Sequence, residues 1–172
     1  MRRMSRPFSI LVLCPGNSAR SILGEVLIND LGGDRLHAHS AGSRPAGRVN
    51  PGAIAKLRRE GHGVEGLESK SWDVFSGAGA PPVDLVITVC DNAAGETCPI
   101  FTGSPVIVHW GIPDPAIDSD DDDLIAAAFD RAYAQLLSRI EAMLTLPIET
   151  MDDAILADAL RQIHRSTGGA AT

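Results

Sequence analysis

The apolar positions of this chain follow two alternating rhythms. Residues 8–13 (Phe-Ser-Ile-Leu-Val-Leu) are almost continuously apolar, as in a strand covered on both faces. From 18 to 31 the period becomes helical, with Ile22, Leu23, Val26, Leu27 and Leu31 on one face and Gly32-Gly33 as the stop. Residues 35–40 alternate again through Leu36, Ala38 and Ser40, and a loop rich in Gly, Pro and Arg fills 41–49. A helix follows over 51–60 with Gly61 as its stop, then a short helix over 69–76 and a Gly/Ala/Pro loop to Pro82. Residues 83–90 (Val-Asp-Leu-Val-Ile-Thr-Val-Cys) carry the strongest strand pattern, and 105–109 form a further strand ending at His109-Trp110. A long helix runs from near Ser119 to Leu144, Pro147 breaks it, and 151–165 make a final amphipathic helix that packs on the core or on a partner subunit.

Strands separated by helices imply a parallel sheet with right-handed crossovers. Four strands suit an α/β three-layer sandwich with sheet order 2-1-3-4 and a switch point between the first and third strands. Ligands of such sheets bind beyond the carboxyl ends of the strands. Cys14 ends the first strand, Cys90 the third, and Asp114 follows the fourth, so all three fall on one rim. Residues 1–147 read as one domain and 148–172 as a C-terminal helical extension.

The composition supports a soluble globular protein, with 44% hydrophobic and 22% charged residues in a chain of 172. A net charge of −7 argues against nucleic acid or an anionic membrane as the main partner. An anionic substrate then needs a locally positive pocket. No segment reaches the roughly 20 apolar residues of a membrane span, and the pattern after Arg2, Arg3 and Arg6 is not a full signal peptide. The expected location is cytoplasmic. Three cysteines, Cys14, Cys90 and Cys98, are too few for a secreted disulfide framework and point to catalysis or metal binding. They lack a paired C-x-x-C, so no metal is assigned.

Cys14 opens the run Cys14-Pro15-Gly16-Asn17-Ser18-Ala19-Arg20-Ser21, on a turn between a strand and a helix. Loop amides and the first turn of the helix supply inward N–H groups for a tetrahedral oxyanion. Gly16, Asn17, Ser18, Ala19 and Arg20 are the expected substrate-binding positions, with the Arg20 guanidinium as a planar fork. The same positive surroundings favour a Cys14 thiolate. Ser21 can donate to that thiolate, and Asn17 tolerates a left-handed backbone while holding the loop.

In Trp110-Gly111-Ile112-Pro113-Asp114-Pro115, two prolines stiffen the turn around one carboxyl. Alone, Asp114 is a turn aspartate. Beside Cys14 and Arg20 it is a candidate general acid for a departing oxygen. Neighbouring strands lie about 4.8 Å apart and disulfides need Cα atoms about 4.4–6.8 Å apart, so Cys14 and Cys90 come near bonding range. Cys98 lies between Gly95 and Pro99, from where it could reach Cys90 and carry oxidation to the surface. His109 and Trp110 close their strand beside the pocket. Asp118 and 120–123 read as a solvated helix cap.

These pieces resemble the thioredoxin-coupled arsenate reductases, which share the low-molecular-weight tyrosine phosphatase fold. The resemblance covers residues 8–146 through Leu13-Cys14-x-Gly-Asn-Ser-Ala-Arg20-Ser21, Ser40-Ala41-Gly42, Val89-Cys90 with Cys98-Pro99, and His109-Trp110-Gly111 with Asp114-Pro115. The loop and the Asp-Pro pair are common to the phosphatases. Cys90 and Cys98 mark the reductases. The chain departs from the pattern at Pro15, which removes one backbone donor, and in the longer spacer between Cys90 and Cys98.

The resemblance implies arsenate as substrate and thioredoxin or another thiol as reductant, with no metal or organic cofactor. Cys14 would attack arsenate held by Arg20 and the loop amides while Asp114 protonates the departing oxygen; Cys90 would then attack Cys14, and Cys98 would attack Cys90. Two alternatives remain open: a tyrosine or small-molecule phosphatase that needs only Cys14, Arg20 and Asp114, and a non-enzymatic thiolate sensor of metals or metalloids.

Overall fold

The computed structural model describes residues 6–90 and 99–167. Its centre is a four-stranded parallel sheet of β1 (Phe8–Leu13), β2 (Leu36–Ala41), β3 (Leu85–Thr88) and β4 (Val106–His109), in the order β2-β1-β3-β4. This is the order and direction expected from the alternating elements. Helices α1 (Arg20–Gly32), α2 (Pro51–Arg59), α3 (Asp122–Leu144) and α4 (Asp153–Ser166) accompany the sheet, with a 3-10 turn at Trp72–Phe75. β1 is buried along its whole length, which explains its unbroken apolar run.

Two apolar clusters cover the sheet. The larger joins Ile10, Val12, Leu23 and Leu27 to Phe129 and Ile140 on α3 and to Leu156 and Leu160 on α4. The smaller gathers Leu11, Leu13 and Val86 against Phe75 and Phe101. Successive β1 side chains point to opposite faces, so one strand feeds both clusters. Helix α4 belongs to the larger one, and Trp110 Nε1 donates to Leu160 O at 2.9 Å. Of the two placements open for this helix, the core is the one observed. Arg35 secures the connection before it, with a paired contact to Glu149 at 2.7 and 2.8 Å and bonds to Leu144 O and Leu146 O, both at 2.9 Å.

Several boundaries differ from expectation for local reasons. Leu31, in the last turn of its helix, is exposed while Ile28 one turn earlier is buried. The long helix begins after Asp121, whose carboxylate accepts from Asp123 N at 2.9 Å and Leu124 N at 3.3 Å. Ser119 instead accepts from Asp121 N at 3.0 Å. β3 is shorter than 83–90. Val83 N bonds Thr102 O at 2.8 Å, and past Val89, whose N–H still bonds Leu13 O at 3.0 Å, the chain runs to the rim. The register Leu13↔Thr88 between β1 and β3 puts Cys14 and Cys90 just past the ends of adjacent strands.

Candidate active site

The loop after β1 is turned inside out by its neighbours. Pro15 O accepts from Arg44 N at 2.9 Å, Gly16 O from Ala46 N at 2.8 Å, and Ser18 O from Asn50 N at 2.8 Å. Ser69 Oγ also donates to Gly16 O at 3.0 Å. In a planar peptide the N–H lies opposite the C=O. Outward carbonyls at 15, 16 and 18 therefore aim the amides of Gly16, Asn17 and Ala19 inward. No side chain caps α1, so its first-turn amides add to this inner surface.

Asn17 sets the curvature. It is buried, has φ 45°, donates from Nδ2 to Ser21 Oγ at 2.9 Å and accepts at Oδ1 from Lys70 N at 2.8 Å. Asparagine is among the few residues that adopt this backbone at low cost. The segment Ser40-Ala41-Gly42 lies flush against the loop, with Cys14 N donating to Ala41 O at 3.3 Å. A Cβ on Gly42 would meet Pro15 O at 2.3 Å and Cys14 O at 2.5 Å. Gly42→Ala is therefore expected to push the loop carbonyls out of place, costing about 1–3 kcal/mol in denaturant unfolding and slowing every reaction of Cys14.

Cys14 and Cys90 are both buried, 5% and 2% exposed. The Cys90 thiol donates to the Cys14 sulfur. Burial opposes ionisation, but the Arg20 charge, the Asn17 N–H and the Ser21 hydroxyl act with Cys90 and lower the Cys14 pKa to about 5. At neutral pH the loop holds a thiolate. Cys98, the expected third sulfur, lies outside the described residues.

Arg20 closes the loop on its open side. Its Nη1 donates to Ile112 O at 3.1 Å, and its Nη2 is 3.5 Å from Asp114 Oδ2. Its Nε is buried and has no acceptor among the described residues, so the guanidinium keeps a donor for a ligand oxygen. Asp114 is exposed at the rim, with Oδ1 accepting from Ala116 N at 2.9 Å. The chain leading to it is tied to β3 through Trp110 N to Thr88 O at 2.7 Å and Ile112 N to Val89 O at 3.0 Å. Trp110 itself turns into the core, 1% exposed.

The structure thus brings Cys14, Cys90, Arg20, Ser21 and Asp114 to one rim, with Gly16, Asn17, Ser18 and Ala19 forming the loop between them. The outer belt made by the Arg44 backbone, Ala46, Asn50, Ser69 and Lys70 carries no signal in the sequence. Most of these act through backbone atoms, which side-chain identity does not signal. Arg44 and Arg48 are exposed. Among the described residues, no group of three or more His, Cys, Asp or Glu side chains is arranged to hold a metal ion, and no helix is long and apolar enough to cross a membrane.

This geometry has counterparts in known proteins. An arsenate reductase from Halalkalibacterium halodurans is 33% identical over 132 residues, covering 77% of this chain and 91% of that one. An arsenate reductase from Bacillus subtilis is 30% identical over 132 residues. The crystal structure of an arsenate reductase from Archaeoglobus fulgidus superposes with a TM-score of 0.62 at 26% identity, over 80% of this chain and 99% of that one. The family described as low molecular weight phosphotyrosine protein phosphatase matches residues 9–153, from β1 through the oxyanion loop to the start of α4. The chain belongs to that family.

Proposed function

We propose that this protein is an arsenate reductase that uses Cys14 as nucleophile and Cys90 as the first resolving thiol. The observation that carries the proposal is the contact between these two sulfurs at the floor of the oxyanion loop. A phosphatase needs a single nucleophile and a general acid. A second buried thiol touching the nucleophile serves a step that phosphoryl transfer lacks. The curated relatives that are arsenate reductases support the same reading.

In the proposed reaction, Cys14 thiolate attacks arsenic(V) held by the inward amides and Arg20. A sulfur–arsenic bond forms, and one oxygen leaves as water, with Asp114 as its proton donor. Cys90 sulfur, deprotonated as it reacts, then attacks Cys14 Sγ. The sulfur–sulfur bond forms as the sulfur–arsenic bond breaks, and the electron pair stays on arsenic, which leaves as arsenite. Cys98 thiolate attacks Cys90, freeing Cys14 and leaving a Cys90–Cys98 disulfide. An external dithiol of the thioredoxin type reduces that bond in a final exchange. Two electrons reach arsenic, and two come from the external dithiol. The protein needs no metal or organic cofactor for these steps.

The test is a coupled assay of the protein with arsenate, thioredoxin, thioredoxin reductase and NADPH. Arsenate-dependent NADPH loss is expected, and it should vanish in Cys14→Ser, Cys90→Ser and Cys98→Ser alike. Full turnover in both Cys90→Ser and Cys98→Ser would exclude the relay. Phosphate has nearly the same shape as arsenate, so slow hydrolysis of an aryl phosphate is expected to persist in those two variants and to be lost in Cys14→Ser.

A further inference from the structure

Arg139 lies on α3 and is 1% exposed, yet among the described residues no carboxylate pairs with it. Its acceptors are neutral. Nη1 donates to Trp110 O at 2.9 Å and to Gly111 O at 3.1 Å, and Nε donates to Thr167 Oγ1 at 3.1 Å. Burial lowers its pKa, as expected for a cation that has exchanged water for fixed dipoles. Burying a guanidinium without a counter-charge is unfavourable. An apolar side chain would fill the same interior space without that cost, so the acceptors it holds are the feature to explain.

Those acceptors begin the only stretch between β4 and Asp114. The N–H side of this stretch is already fixed to β3, through Trp110 N to Thr88 O at 2.7 Å and Ile112 N to Val89 O at 3.0 Å. Arg139 fixes the opposite, carbonyl side at Trp110 and Gly111. The next carbonyl along, Ile112 O, accepts from Arg20 Nη1 at 3.1 Å. Two residues further, Asp114 meets Arg20 Nη2 at 3.5 Å. The stretch is therefore clamped from both sides immediately before it grips the oxyanion-binding guanidinium. Nη1 alone holds both successive carbonyls, while Nε on the same rigid plane is held by Thr167 Oγ1, an anchor that a lysine ammonium lacks.

We infer that Arg139 is a positioning residue: by holding the Trp110 and Gly111 carbonyls from inside the core, it sets the Ile112 carbonyl that orients Arg20 towards the bound oxyanion. Arg139 touches no substrate and acts through Arg20. The inference rests on the oxyanion-binding part of the proposed function and is independent of the thiol relay.

The probe is inorganic phosphate, an oxyanion that the protein does not reduce. Its binding is read as protection of Cys14 from iodoacetamide, followed by peptide mass spectrometry in the reduced full-length chain. In Arg139→Met the phosphate concentration giving half-protection should rise about tenfold, and in Arg139→Lys it should rise by a smaller factor. The control is Leu156→Ala, which empties core space under α4 and removes no hydrogen bond to the Trp110–Asp114 stretch. It should lower the unfolding midpoint while leaving phosphate protection unchanged. If Arg139→Met does not fold, Arg139→Lys decides the question. Unchanged protection in a folded Arg139 variant would overturn the inference, as would an equal loss in Leu156→Ala. Because phosphate protection involves no reduction, a failure of arsenate turnover leaves this result readable on its own.

Discussion

Arg20→Lys is expected to lower kcat/KM for arsenate by about a hundred- to a thousandfold, corresponding to about 2.7–4 kcal/mol of lost transition-state stabilisation. The guanidinium points donors in three directions at once. Nη1 holds Ile112 O, Nη2 faces Asp114, and the buried Nε has no acceptor among the described residues. A lysine ammonium keeps the charge but cannot place donors in all three directions. Charge alone would keep most of the activity, whereas geometry would not. Steady-state kinetics of the two proteins, with thioredoxin saturating, make the comparison. A loss below tenfold would mean that the loop amides carry the oxyanion without the fork.

Cys90→Ala is expected to have two separable effects. Arsenate-dependent turnover stops, because the thiol that attacks Cys14 is gone. The pKa of Cys14 also rises above its wild-type value of about 5, because the Cys90 hydrogen bond is the largest lowering influence and burial continues to oppose ionisation. The sign is directly observable. Wild-type Cys14 is thiolate above about pH 5 and protonated below, so its alkylation rate should be flat near neutrality and fall below that point. In Cys90→Ala the falling limb should move to higher pH, and alkylation at pH 6 should slow. An unchanged midpoint would show that Cys90 contributes nothing to activating Cys14. The second effect is independent of arsenate, so it tests the sulfur contact even if the substrate were another oxyanion.

Much of this arrangement can be read from residue types in order. The nearly continuous apolar run of β1 reads as a strand covered on both faces, and a cysteine, glycine, asparagine, arginine and serine soon after it specify the turn. Alternation of strand and helix then places the ends of β1, β3 and β4 on one rim, which is why Cys14, Cys90 and Asp114 could be grouped before any coordinates. Other features leave no such trace. The outward carbonyls at 15, 16 and 18 depend on backbone partners at 44, 46 and 50, and backbone atoms are the same in every sequence. Trp110 follows a strand at the rim, yet its indole reaches Leu160 O on a helix 50 residues later. In the acidic run 118–123 any carboxylate could have capped α3, and only geometry selects Asp121. Arg139 sits in a helix of mixed composition, where an arginine ordinarily means a solvated face. Its burial follows from tertiary packing alone.

The Asp114 carboxylate is half exposed, with the side chain at 55%, and rests against Arg20. To act as the proposed proton donor it would have to turn from the guanidinium towards the departing oxygen. The two flanking prolines limit that movement to the side chain.

The central claim is that arsenic receives its two electrons from sulfur atoms of this chain. The most direct measurement mixes fully reduced protein with excess arsenate and no external reductant, then quantifies arsenite and maps disulfides by mass spectrometry. The account predicts one arsenite per chain and one disulfide per chain, between Cys14 and Cys90 or, after the second exchange, between Cys90 and Cys98. Absence of arsenite, with all three thiols still reduced and aryl phosphate hydrolysis intact, would contradict it and leave a phosphatase.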